Sequence, residues 1–278
     1  MTWLEKARVW KCYAKHERPT FTLKTGTLFE DSPIPLEKWL CAAWMLFACK
    51  NGISSYELHR GLGVSQKTAW FMLHRLRLAA SEIGFQKIGG SGEHVEADET
   101  FVGGKVHNMH RSRRVRAQKR YGQKGDKILV LGLLERDGDV RAAVSPTREH
   151  YPIVQNIMNN VAPGSTIFTD ELNAYTGLPE QFTHEVINKM EGYVRGQVHV
   201  NGIENFWSLL KRTLKGTYVS VDPVHLQAYV DEQAFRFNHR DLPDAEKFAL
   251  ALRHIVGRRL TYNELTGKTE SGPVTRPC

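Results

Sequence analysis

Cysteine is scarce in this chain. Four among 278 residues, Cys12, Cys41, Cys49 and Cys278, are too few for the disulfide framework of a small secreted scaffold, so apolar packing must hold the core. Cys41 and Cys49 fall in an apolar helical pattern and are expected as buried, reduced thiols. Long hydrophobic runs are missing as well. The longest, Trp39 to Cys49, is bounded by Lys38 and Lys50 and falls far short of the roughly 18 residues of a membrane span. It reads as the face of a buried helix, and no membrane partner is expected. The amino terminus, MTWLEKARVWKCYAKHERP, carries charges where an export signal has its apolar centre, which points to the cytoplasm. No internal repeat or low-complexity tract is visible. Hydrophobic residues make up 41% and charged residues 24%, a globular composition that excludes whole-chain disorder. The length allows one large domain or a main domain with a smaller companion.

What is present in excess is positive charge. Lys and Arg number 38 against 30 Asp and Glu, a formal net charge of +8, which suits a polyanionic partner. The excess is concentrated: residues 105–127 hold nine Lys or Arg, two His and one acid, Asp126. Such a stretch cannot enter a core, and its like charges repel one another without a polyanion to neutralise them. His107 and His110 are spaced H-x-x-H there, but with no carboxylate nearby they read as part of the basic loop.

Along the chain, residues 1–32 read as short strands and turns, with a boundary at the acidic, Pro-bounded Glu30-Asp31-Ser32-Pro33. Residues 33–88 are helical, with apolar residues at three and four spacing, and Gly52 is expected to stop the first helix. In SSYELHRGLGVSQKTAWFMLHRLRLAA a short helix meets Gly63, and Ser65 caps a longer one with Ala69, Leu73 and Leu76 inward. That is helix-turn-helix spacing. Gln66, Lys67, His74 and Arg75 are expected on its outer face, able to enter a major groove, while Trp70 suits the core. Residues 89–245 change period: three strands, HVEADETFVGG and a hairpin turning at Asp137-Gly138, then helix, strand, helix, strand and the amphipathic helix NGIENFWSLLKRTLKG. The pattern is α/β, a mixed sheet of three antiparallel strands followed by parallel strands with helices, plus a small N-terminal helical domain. Residues 246–278 form a further helix and tail.

Three acids stand out in residues 89–245. Asp98 lies mid-strand in an apolar segment, where a lone charge carries a heavy desolvation cost unless it is paired or metal-bound. Asp170 closes the strand STIFTD, at the rim where open α/β sheets place ligands. Glu204 sits in the first turn of the last helix. Should the strands lie side by side with that helix over them, the three oxygens converge and suit Mg²⁺ or Mn²⁺. Each has a plainer reading too: Asp170 as an N-cap, and Asn201 with Glu204 as a capping box. Glu96 shares the face of Asp98 and is its internal competitor, ranked well below it.

VEADETFVGGK, IFTDELNAY and HVNGIENFWSLLKR resemble the three blocks of a DDE transposase of bacterial insertion sequences, over roughly residues 90–240. Lys211 follows Glu204 by seven positions, two turns along one face, as in that family's acidic-then-basic signature. The resemblance implies a ribonuclease H-like fold and two Mg²⁺ or Mn²⁺ ions held by Asp98, Asp170 and Glu204, with Lys211 at a phosphate. The activity it implies is DNA cleavage and strand transfer. Asn201 is the alternative third ligand, since some relatives carry an Asn there. The implied partner is double-stranded DNA, element ends and target alike, bound as a homodimer or higher oligomer. Lys67 and Arg75 would read bases, and Arg111, Arg113, Arg114, Arg116, Lys119, Arg120, Lys211 and Arg212 would contact phosphates. Upstream, KCYAKHERPTFTLKTGTLFEDSPIPLEKW resembles the end of a zinc ribbon. Only Cys12, with His16 at a looser spacing, remains of the four ligands such a ribbon needs, which argues against structural zinc and for a shortened N-terminus. Two rivals stay open: a transposase-derived DNA-binding protein without catalysis, and a metal-dependent nuclease without strand transfer.

Overall fold

The computed structural model describes residues 1–15, 19–81, 86–103, 111–112, 115, 127–145, 150–170, 175, 178–186 and 200–267. These divide into two compact units, one of residues 1–81 with 241–267 and one built within residues 82–240.

The first unit opens with a three-stranded antiparallel sheet, β1 (Thr2–Leu4), β2 (Val9–Lys11) and β3 (Thr20–Phe21). Three helices follow: α1 (Leu36–Ala48), α2 (Ser55–Leu62) and α3 (Gln66–Ala80). Helix α2 starts on a complete capping box between Ser54 and Glu57 and stops at Gly63, which takes a left-handed φ of 61° that costs glycine little. Two residues later Ser65 accepts from the Thr68 amide and caps α3 as expected. The stripe Trp39, Ala42, Ala43, Leu46 and Phe47 of α1 is buried. Cys41 and Cys49 are exposed, contrary to expectation: Cys41 falls on the side of α1 away from that stripe, and Cys49 is the extended residue that ends the helix. The last helices, α7 (Asp244–Arg253) and α8 (Tyr262–Thr266), fold with this unit. Here a second expectation fails: His74 and Arg75 are 2% and 4% exposed. The Arg75 guanidinium donates to the carbonyls of Glu30 and Leu260, so it ties distant segments together and is closed to DNA. Lys67 is exposed, its ammonium 4.7 Å from the Tyr262 ring centroid.

The second unit is a five-stranded sheet in the order β6-β5-β4-β7-β8, with β4 (His94–Val102), β5 (Ile128–Glu135), β6 (Val140–Ser145), β7 (Thr166–Thr169) and β8 (Thr183–Val186). The first three run antiparallel, while β7 runs parallel to β4 and β8 parallel to β7. This mixed order is compatible with a ribonuclease H-like fold. Strand β5, ILVLGLLE, is apolar on both faces because both are covered. Leu129, Leu131 and Leu133 join Ile153 and Ile157 of α4 (His150–Asn160). Val130 and Leu134 join Ile203, Phe206, Trp207 and Leu210 of α5 (Asn201–Thr213), and Tyr229 and Val230 of α6 (Leu226–Asn238). The open edge of β6 is closed by amides of α6: Asn238 pairs with both backbone groups of Val140, and Gln227 bonds Val144 and Ala142, which blocks strand addition there. Among the described residues no helix is long and apolar enough to cross a membrane.

Candidate active site

Strand β4 outruns its parallel neighbour. The β4–β7 pairing ends at Glu96 with Phe168, so from Ala97 onward that side of β4 opens onto the rim where β7 stops and Asp170 follows. There Asp98, Glu99 and Asp170 each offer a carboxylate oxygen, all within 4.8 Å of one another. All three are half-buried. Two of the expected acids therefore meet, joined by Glu99, which sequence reasoning passed over. Its side chain leaves the opposite face of the strand from Asp98, and both reach the same rim.

Each face of the sheet holds its own acid in place. On one side the indole Nε1 of Trp207 donates to Asp98 Oδ2 at 3.0 Å. On the other the hydroxyl of Tyr175, a residue only 2% exposed, donates to Glu99 Oε2 at 3.0 Å. Burial first, then the charges of Glu99, Asp98 and Asp170, push the Tyr175 phenol far above its ordinary range, so it remains a donor at every working pH. Behind the site Thr169 donates to the Asp170 carbonyl and meets Nε2 of His184, a ring whose burial lowers its proton affinity.

Glu96, the internal competitor, does different work. It is 1% exposed, accepts the Ile203 amide at 2.9 Å and lies 3.6 Å from Arg136. The N-cap of α5 is Val200, which has no side-chain acceptor, so a carboxylate from β4 satisfies the exposed amide end of that helix. The expected Asn201–Glu204 capping box is absent. Glu204 is exposed in the first turn of α5, outside the group of three acids, one turn before Trp207. Asn201 is exposed, Lys211 half-buried and Arg212 exposed on the same helix.

Seating α5 this closely requires two glycines. A Cβ on Gly132, which pairs with Asp98, would sit 2.6 Å from two ring carbons of Trp207. On Gly202 it would sit 2.6 Å from Leu134 Cδ2. Gly132→Ala is expected to cost about 1–3 kcal/mol through overpacking and to push the indole off Asp98. Thermal unfolding checks this, and an unchanged melting temperature would refute the contact.

Of the expected phosphate-binding loop, Arg111 is described and exposed. Arg113, Arg114, Arg116, Lys119 and Arg120, with His107 and His110, lie outside the described residues, as does His16 of the ribbon reading. The loop's attachment is defined nonetheless. Val102 pairs with Ile128, so the connection leaves the sheet at the C-terminal end of β4, three residues beyond Glu99.

A ribonuclease H-compatible sheet with clustered acids at its rim agrees with the resemblance to insertion-sequence transposases. Residues 90–238 match the family described as the ISXO2-like transposase domain, more than half of the chain, and the chain belongs to that family. It is similar to an uncharacterized protein of the transposable element ISH50 of Halobacterium salinarum, 30% identical over 70% of this chain and 67% of that one. An uncharacterized transposase-like protein of Haemophilus influenzae is 29% identical over 37% of this chain and 84% of its own length.

Proposed function

We propose that the protein cleaves DNA at the ends of an insertion sequence and joins them to target DNA, using Mg²⁺ or Mn²⁺. The observation that carries this reading is the meeting of Asp98 and Asp170 at the sheet rim, in a transposase-family chain, close enough to share a cation. The donor set fits: hard carboxylate oxygens on three residues, half-open to solvent, suit a small hard ion that keeps some of its water. Asp98 and Asp170 would hold the metal, with Glu204 reaching in from α5 as third ligand. Bound there, two such ions would supply an activated water or 3′-hydroxyl and stabilise the leaving oxygen of the phosphodiester. The chain's own part is orientation. Trp207 holds Asp98, the Glu96 bond to Ile203 sets α5 against the sheet, and Lys211 lies two turns beyond Glu204, about 10 Å along the axis, placed for a neighbouring phosphate. The basic connection between β4 and β5 would track the duplex backbone, and the end of α3 that carries Lys67 would face its bases. Joining two element ends calls for a dimer or higher oligomer on the DNA.

The third ligand is decided by paired substitutions. Glu204 stands one turn before Trp207, whose indole holds Asp98, so Glu204→Gln is expected to lower cleavage strongly and Asn201→Ala only mildly. Cleavage of a labelled element-end duplex across a Mg²⁺ series measures both, and the reverse order would move the ligand to Asn201.

A further inference from the structure

A second surface lies in the first unit, on the three-stranded sheet. Its register sets Trp3 opposite Trp10 and Trp10 opposite Phe21, so three aromatic rings stand in one row across one face. An aromatic row normally supplies the core of a small sheet. Here Trp3 and Trp10 are 44% and 39% exposed, with ring centroids 5.3 Å apart and planes inclined at 54°. The two rings meet at a tilt, and each leaves part of its surface to solvent. Beyond the row Tyr13 is 69% exposed, with the Lys11 ammonium 5.5 Å from its ring centroid.

The charge around these rings is mostly positive. Residues 1–15 contain Lys6, Arg8, Lys11 and Lys15 against a single acid, Glu5. Lys6 and Arg8 are exposed in the turn joining β1 to β2, beside the row. Open indole faces flanked by cations match one class of ligand closely: a base stacks on the ring while its phosphate meets Lys or Arg. In a duplex both faces of every base are already stacked, so such a surface selects unpaired nucleotides. A protein partner would have to match these cations with acids, and among the described residues 1–15 only Glu5 is acidic.

We propose that this face binds unpaired DNA, with two or three successive bases stacked on Trp3, Trp10 and Phe21 and flanking phosphates held by Lys6 and Arg8. The site is separate from the acids of the second unit and does not depend on their chemistry.

The test uses the full chain and a labelled oligothymidylate of about 12 nucleotides, read by fluorescence anisotropy, with a blunt duplex as control. Replacing Trp3 and Trp10 together by Ala should weaken oligothymidylate binding at least tenfold, given the stacking contribution of each ring, and leave duplex affinity unchanged. Replacing both by Phe should restore most of the binding. The oligothymidylate should quench indole fluorescence in the wild type and much less in the Phe pair, a comparison that stands even if the Ala pair misfolds. Asp98→Asn should bind the oligothymidylate normally while losing cleavage, which separates this site from the catalytic reading. Wild-type binding by a folded Ala pair, equal loss toward duplex, or absence of quenching would each overturn the proposal. So would sedimentation showing that the two indoles hold a dimer, since the face would then be covered by a second copy.

Discussion

Replacing Asp98 or Asp170 by Asn is expected to lower metal-dependent cleavage of element-end DNA by about three orders of magnitude or more. A site that stabilises developing charge through bound cations contributes several kcal/mol, and every 1.36 kcal/mol is about a factor of ten in rate. Each substitution removes one charged oxygen from a cage whose oxygens stand within 4.8 Å of each other, and an amide is a far poorer ligand for a hard ion. The fold should survive. After Asp98→Asn the side-chain carbonyl can still accept from Trp207, and the apolar clusters on both sheet faces do not include either acid. DNA affinity in the absence of metal should change little, because the basic residues are untouched. Gel cleavage assays with binding controls measure both quantities. A wild-type cleavage rate in either variant would remove that residue from the site and with it the catalytic reading.

How far the sequence led depended on how local each signal was. Asp98 and Asp170 were legible because a carboxylate inside or at the end of an apolar strand is costly wherever the strand goes. The three antiparallel strands and the turn at Asp137, with its positive φ of 61°, were legible from alternation and turn chemistry. Glu99 was not. Period-two alternation assigns it to the face opposite Asp98, and only the unequal lengths of β4 and β7 bring both to one rim. The capping box failed for a related reason: Asn201 and Glu204 have the right spacing, but Glu96, 107 positions away, holds the Ile203 amide. Arg75 misled because helical periodicity sorts residues into one buried stripe and one outer face. The second half of α3 is buried on several sides, and a guanidinium is tolerated there because it bonds carbonyls 45 and 185 positions distant. What was missed in each case is a contact between segments far apart in the chain.

The pair Glu99 and Tyr175 offers the sharpest check on the geometry of the rim, since neither was singled out within the blocks VEADETFVGGK and IFTDELNAY that contain them. Glu99→Gln keeps an oxygen for the Tyr175 hydroxyl and the same size, and removes only the charge. If Glu99 helps to hold the cation, metal affinity should fall by about 10- to 100-fold, the usual effect of losing a supporting group at a metal site. That loss has a reading independent of catalysis. Metal that binds the folded chain raises its unfolding free energy by RT ln(1 + [L]/Kd), so at a fixed saturating Mg²⁺ concentration the thermal stabilisation should shrink by roughly 1.4–2.7 kcal/mol. Tyr175→Phe should act in the same direction but less, because it frees the carboxylate without neutralising it. Tyr175 also sets an alkaline limit. Its folded phenol is held well above its ordinary value of 10.0, so its contribution to stability is complete below that pH and declines as pH rises further and the unfolded chain ionises. Tyr175→Phe should therefore flatten the stability profile on the alkaline side while leaving it unchanged near neutrality. If Mg²⁺ stabilises Glu99→Gln as fully as the wild type, Glu99 plays no part in holding the ion, and the cage reduces to Asp98, Asp170 and whatever α5 brings to them.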